Sequence, residues 1–157
     1  MSLKHLNILL ADDDTDDCVF FKQALEGSAL STNLTTVHDG EQLMQMLNNM
    51  GYQLPDVLFL DLNMPRKNGR ECLSEIKLSE KLKDLAVIVF STSYEKEVVN
   101  QLYKNGAKYF IRKPAEYSQF KKLIQQTVTH IAKKGEFLRT RENFVLTVQN
   151  EEESTNH

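Results

Sequence analysis

Five polar residues stand where a short apolar run ends: Asp12 and Asp13 after Leu6–Ala11, Asp61 after Val57-Leu58-Phe59-Leu60, Ser91 after Val87–Phe90, and Lys113 after residues 108–112. If those runs are parallel strands of one sheet, all five side chains share its carboxyl rim, where open α/β sheets bind ligands. Three carboxylates brought together repel, and each raises the pKa of the others unless a cation sits among them. Lys113 supplies one counter-charge. A hard divalent cation with oxygen ligands is the better solution, and Mg²⁺ fits because it takes one or two carboxylates together with waters and phosphate oxygens; Mn²⁺ is the alternative. The chemistry that follows is phosphoryl transfer, with Asp61 the carboxylate nucleophile and Ser91 a hydrogen-bond donor to the phosphoryl group.

The elements that must position these residues follow from the pattern. Residues 6–11, 34–38, 57–60, 87–90 and 108–112 read as strands, the central ones as near-continuous apolar runs of the kind buried on both faces. Between them lie helical stretches: one after Asp14 or Thr15 with Val19, Phe20, Ala24 and Leu25 as its stripe, then 41–49, one through Cys72, Leu73 and Ile76, 95–105, and 117–133. Asp14 suits a helix cap, and Asp16 and Asp17 suit the positive end of the helix dipole. Five strands alternating with five helices require a parallel sheet covered on both faces, an α/β doubly wound fold with right-handed crossovers.

Composition narrows the class. The 157 residues carry 19 Lys+Arg against 22 Asp+Glu, a formal charge of −3, with no basic excess to neutralise a nucleic-acid backbone. Cys18 and Cys72 make no disulfide framework and read as packing thiols. His5, His38, His130 and His157 show no metal-ligand spacing. No apolar run reaches the roughly 18 residues a membrane span needs, and no apolar leader opens the chain, so a cytoplasmic location is expected. Residues 1–133 read as one domain. Residues 134–157 form an extension outside the strand–helix rhythm, with a solvated Glu151-Glu152-Glu153 tail.

The separated motifs Asp12-Asp13, Asp61-Leu62-Asn63-Met64-Pro65 with Gly69, Ser91-Thr92 and Lys113-Pro114 resemble those of a response-regulator receiver domain, the phosphoacceptor of bacterial two-component signalling. Thirty positions separate Asp61 from Ser91 and twenty-two separate Ser91 from Lys113, which also matches the family. The resemblance runs from about Asn7 to Ala132 and implies the flavodoxin-like strand order 2-1-3-4-5. It makes Asp61 the phosphorylated residue and Asp13 and Asp61 side-chain ligands of Mg²⁺. Asn63 adds its backbone carbonyl, and Asp12 acts through water. Ser91, Lys113 and Phe110 become the switch residues, and a cis peptide is implied at Pro114. The donor is then a sensor histidine kinase or a phosphotransfer protein. By length the expectation is a stand-alone receiver that acts by switching protein–protein contacts and performs no catalysis beyond its own phosphorylation and dephosphorylation.

Two other readings stay open. A metal-dependent phosphohydrolase with an aspartyl nucleophile would want an acid two residues after Asp61, where Asn63 cannot do acid–base chemistry. A degenerate receiver would serve only as an interaction module. Phe137, Leu138, Phe144, Val145, Leu146 and Val148 in the extension are too apolar to all face water. They either dock on the chain's own last helix or pair two copies in a homodimer.

Overall fold

The computed structural model describes residues 5–51, 53–133 and 143–146. Strands β1 (Leu6–Ala11), β2 (Thr32–Val37), β3 (Val57–Asp61), β4 (Ala86–Ser91), β5 (Tyr109–Arg112) and β6 (Val145–Leu146) form one sheet in the order β2-β1-β3-β4-β5-β6. Every neighbouring pair is parallel. Helices α1 (Thr15–Glu26), α2 (Gly40–Asn49), α3 (Gly69–Leu78), α4 (Lys96–Lys104) and α5 (Tyr117–Ala132) connect the first five strands and lead out of the fifth. The expected five-strand order is present, extended by one short strand at its β5 edge.

Alternation along each strand divides the core in two. Leu9, Ala11, Leu58, Leu60, Val87, Val89 and Phe110 face α2, α3 and α4. Leu6, Ile8, Leu10, Phe59, Ile88, Phe90, Tyr109 and Ile111 face α1 and α5. Side chains of successive strand residues point to opposite faces, so a sheet covered by helices on both sides must be apolar at every position. All five residues of β3 are buried.

The apolar stripe of α1 differs from expectation. Cys18, Phe21, Ala24 and Leu25 face the core, whereas Val19 is half exposed. Phe20 is only partly buried and leans on the Tyr117 ring at 4.4 Å between centroids. Val19-Phe20-Phe21 presents three adjacent apolar residues, and the sequence alone leaves open which two belong to the stripe. Cys18 and Cys72 are buried free thiols. Burial pushes them up to about 11 and about 12, so they remain protonated packing groups.

A sixth strand draws part of the extension, which in sequence reads as outside the strand–helix rhythm, into the sheet. Val145 pairs with Phe110 and Leu146 with Ile111, and the Phe110 N–H donates to the Phe144 carbonyl at 2.9 Å. Phe144 is fully buried, its ring edge-on to Tyr103 of α4 at 5.2 Å. This segment docks along β5, with Phe144 and Val145 packed on the side of α4 and Leu146 on the side of α1 and α5. Phe137, Leu138, Val148 and the acidic tail lie outside the described residues. Phe144→Leu keeps the apolar burial but loses the ring pair. Thermal unfolding should show a cost of about 0.5–1.5 kcal/mol, and no cost would mean that the ring contact contributes nothing.

Among the described residues no helix is long and apolar enough to cross a membrane.

Candidate functional site

Strands β1 and β3 are neighbours, while the chain leaves them toward opposite edges of the sheet: β1 leads to β2 on one side, β3 to β4 on the other. The crevice at that reversal is where such sheets hold ligands. Asp12 and Asp13 follow β1, and Asp61 ends β3. Possible ligand atoms of the three carboxylates all lie within 4.8 Å of one another. Asp12 is fully buried and Asp61 is 5% exposed, whereas Asp13 is exposed.

Local hydrogen bonds fix each position. The Asp12 N–H donates to the Val37 carbonyl at 3.0 Å, and its Oδ1 accepts from the Asp14 N–H at 2.9 Å. Asp14 caps α1 as expected, its Oδ1 accepting from the N–H groups of Asp16 (2.9 Å) and Asp17 (3.2 Å). Asp61 Oδ1 accepts from the Asn63 N–H at 3.3 Å. The Asn63 amide donates to Ser91 Oγ at 3.4 Å, and the Ser93 N–H donates to the same oxygen at 3.1 Å. Ser91 is fully buried, and its hydroxyl proton is left to donate elsewhere. The Lys113 N–H donates to the Ser91 carbonyl at 2.8 Å, which ties the ends of β4 and β5 together.

Lys113 reaches back across the rim. Its ammonium donates to Asp17 Oδ2 at 2.7 Å and Asp12 Oδ2 at 3.1 Å and lies 3.8 Å from Asp61 Oδ2. It also sits 4.5 Å over the Phe90 ring. Burial pushes the Asp61 carboxyl up to about 8, with Lys113 opposing the rise and the Asp12 charge adding to it. Asp12 is raised for the same first reason, burial, against the pull of Lys113. Burial works against the Lys113 ammonium, yet Asp12, Asp17 and Asp61 outweigh it and hold the pKa above the ordinary lysine value. One ammonium thus fails to compensate the carboxylates around it. The surplus negative charge, the all-oxygen donors and their close spacing fit a hard divalent cation.

The loop after Asp61 needs a glycine. The Gly69 N–H donates to the Leu62 carbonyl at 2.9 Å, and a Cβ there would stand 2.4 Å from the Asp61 carbonyl oxygen. That distance is far inside contact, so Gly69→Ala must shift the backbone that carries Asp61. The expected cost is about 1–3 kcal/mol in unfolding, with weakened Mg²⁺ binding; wild-type values for both would show that the loop yields freely. Asn68 caps α3 in a reciprocal box with Glu71.

The structure brings together Asp12, Asp13, Asp61, Asn63, Ser91 and Lys113. Phe110 is buried one strand away, its ring 6.1 Å from Tyr94, and it lines a cleft of about 270 Å³ with Leu62, Ser91, Val98 and Val99. The expected cis peptide at Pro114 is absent: every peptide bond of the described residues is trans. Trans is the form X–Pro bonds favour by about 0.5–1 kcal/mol, and Lys113 makes both its backbone and its ammonium contacts with it.

Two site residues go beyond the sequence reading. Asp17 is the nearest partner of Lys113, although in sequence it reads only as complement to the helix dipole. His38 Nδ1 lies 3.1 Å from the Asp12 carbonyl. An acid on the first turn of a helix that begins at the ligand rim is the signal that could have found Asp17. Arg66 and Lys67, in the loop after Asp61, meet the chain's own acids. Arg66 lies 3.5 Å from Glu41 and Lys67 pairs with Glu75.

Comparison with known proteins places this geometry. The family profile of the response regulator receiver domain matches residues 8–125. Response regulator Rcp1 of Synechocystis sp. is 32% identical over 122 residues, covering 75% of this chain and 83% of that protein. The crystal structure of the phosphorylated cyanobacterial phytochrome response regulator RcpA aligns with a TM-score of 0.79 at 31% identity, covering 84% of this chain and 97% of that one. The Mn²⁺-bound form of Rcp1 aligns with a TM-score of 0.77 at 28% identity over 85% and 99% of the two chains.

Proposed function

The chain belongs to the response regulator receiver family, and from that premise we propose that Asp61 accepts a phosphoryl group from a phosphohistidine and so switches the contacts this protein makes with others. Receiver domains are signalling proteins rather than classical enzymes, and they work with histidine kinases or phosphotransfer proteins. The observation that carries the reading is the setting of Asp61: a buried carboxylate within 4.8 Å of two others, with a lysine ammonium at 3.8 Å.

Asp13 and Asp61 would hold the divalent cation by side chain, with the Asn63 backbone carbonyl. Both Asp12 oxygens are already engaged, Oδ1 by the Asp14 N–H and Oδ2 by Lys113, which supports its acting through water. A bound Mg²⁺ or Mn²⁺ supplies the positive charge that lets these carboxylates and an incoming phosphoryl group share the rim. In the transfer an Asp61 carboxylate oxygen forms the new P–O bond. The P–N bond of the donor histidine breaks, and its electron pair stays on the imidazole nitrogen. Lys113 offers charge to the phosphoryl oxygens, and Ser91 turns its hydroxyl proton toward them.

The response begins at Ser91. Drawn toward the phosphoryl group, it vacates one wall of the cleft that Phe110 lines, giving that ring room to turn. Phe110 also bonds the β6 segment, so its movement is felt on the surface formed by α4, β5 and the extension. Similarity to RcpA, a cyanobacterial phytochrome response regulator, supports a sensor kinase of the phytochrome type as donor. Homodimerisation through later helices or the extension remains part of the proposal, with a cytoplasmic site of action. Incubation with Mg²⁺ and a phosphorylated histidine kinase tests the reading. Stoichiometric, base-labile labelling is expected; steady turnover of small phosphoesters would instead make the protein a phosphohydrolase.

A further inference from the structure

We propose that Asp17 is a positioning residue that holds the Lys113 ammonium away from Asp61 and so sets how readily Lys113 engages a phosphoryl group. The inference rests on Asp61 being the phosphoacceptor and deepens that reading.

An ammonium has three donors. Asp17 Oδ2 at 2.7 Å and Asp12 Oδ2 at 3.1 Å take two, while Asp61 Oδ2 at 3.8 Å lies beyond hydrogen-bond reach. The shortest of the three contacts goes to the residue farthest from the nucleophile in role. Asp17 is well placed to keep it. The Asp14 cap fixes the first turn of α1 by accepting from the Asp17 N–H itself, and the helix dipole favours a carboxylate there. The Lys113 side chain is only 7% exposed, so water competes little for the ammonium, while Asp17 at 22% retains some solvent.

A phosphoryl group on Asp61 must then compete with Asp17 for Lys113. A partner that binds one arrangement of a two-state element better than the other shifts it by that difference alone. Asp17 stabilises the arrangement with Lys113 withdrawn, so its removal favours the engaged one. Asp16, on the same turn but exposed and without a contact to Lys113 among the hydrogen bonds and ion pairs described, carries the same charge and serves as the control.

The test measures, in Mg²⁺, the affinity of the full chain for beryllium trifluoride, a phosphoryl mimic that adds to a carboxylate. Asp17→Asn should bind it roughly fivefold more tightly, the factor expected for loss of one partly exposed ion pair. Asp16→Asn should bind as wild type, and Asp17→Glu should return toward it. In a Lys113→Ala background the gain from Asp17→Asn should vanish. A gain that persists without Lys113, or that Asp16→Asn matches, means that Asp17 acts by charge alone and overturns the proposal. So does an unchanged affinity in Asp17→Asn. If the Lys113→Ala variants do not fold, the contrast of Asn, Glu and the Asp16 control decides by itself. Absence of binding to the wild-type chain would be a different failure, that of Asp61 as the acceptor.

Discussion

Asp61→Asn should eliminate phosphorylation and leave a folded protein that is more stable than wild type in the absence of metal. The amide is nearly isosteric with the carboxylate but lacks the charged nucleophilic oxygen, so the P–O bond cannot form. The gain in stability follows from the setting. A buried carboxyl raised to about 8 from an ordinary value near 3.8 keeps its proton in the folded chain where the unfolded chain has lost it. Between those two values the folded state binds more protons, so its stability falls as pH rises, and the loss is complete above the folded value. Asp12, raised in the same direction, contributes to the slope. Metal-free wild-type protein should therefore unfold at a higher temperature near pH 5 than near pH 9, and Asp61→Asn should flatten that difference. Added Mg²⁺ should restore stability at the higher pH in wild type far more than in the variant. A wild-type protein whose metal-free stability rises over this range would contradict the burial argument.

Lys113→Ala should cost about 3 kcal/mol at neutral pH without metal, toward the lower end of what breaking a buried ion pair costs. Its side chain is 7% exposed and stands among Asp12, Asp17 and Asp61, so deletion leaves Asp12, fully buried, without its counter-charge. Protonation of the remaining carboxylates limits the loss, and Mg²⁺ should recover part of it. Phosphorylation of Asp61 should persist at a reduced rate, because Lys113 is not the nucleophile. The response beyond the site should be lost, since in the proposed mechanism the ammonium leaves Asp17 and Asp12 for the phosphoryl oxygens. Partner binding by phosphorylated Lys113→Ala protein at wild-type strength would contradict this role.

Much of the site was legible because its residues are pinned to strand ends. Once β1, β3, β4 and β5 are recognised as buried parallel strands, Asp12, Asp13, Asp61, Ser91 and Lys113 have nowhere to stand but one rim. Strand boundaries shifted little: β2 starts at Thr32, two residues before Leu34, because pairing with the neighbouring β1 strand extends beyond its apolar centre. What escaped the sequence depends on contacts between distant segments. The partnership of Asp17 with Lys113 spans most of the chain, and the pattern around Asp17 speaks only of a helix start. Phe144 belongs to the core through Tyr103 and β5, yet the two-residue strand that follows it is too short to carry an alternation of its own. The stripe of α1 was ambiguous because three apolar residues are adjacent there. At Pro114 the resemblance suggested cis, whereas the local contacts are met in trans.

The central claim is that one carboxylate, Asp61, receives the phosphoryl group. Exposure of the wild-type chain to a small phosphodonor in Mg²⁺, borohydride reduction of the acyl phosphate and tandem mass spectrometry of the peptides locates it most directly. The account predicts reduction at Asp61 alone, dependent on divalent metal and absent in Asp61→Asn. Stable modification at Asp12, Asp13 or a histidine, with Asp61 untouched, would contradict it.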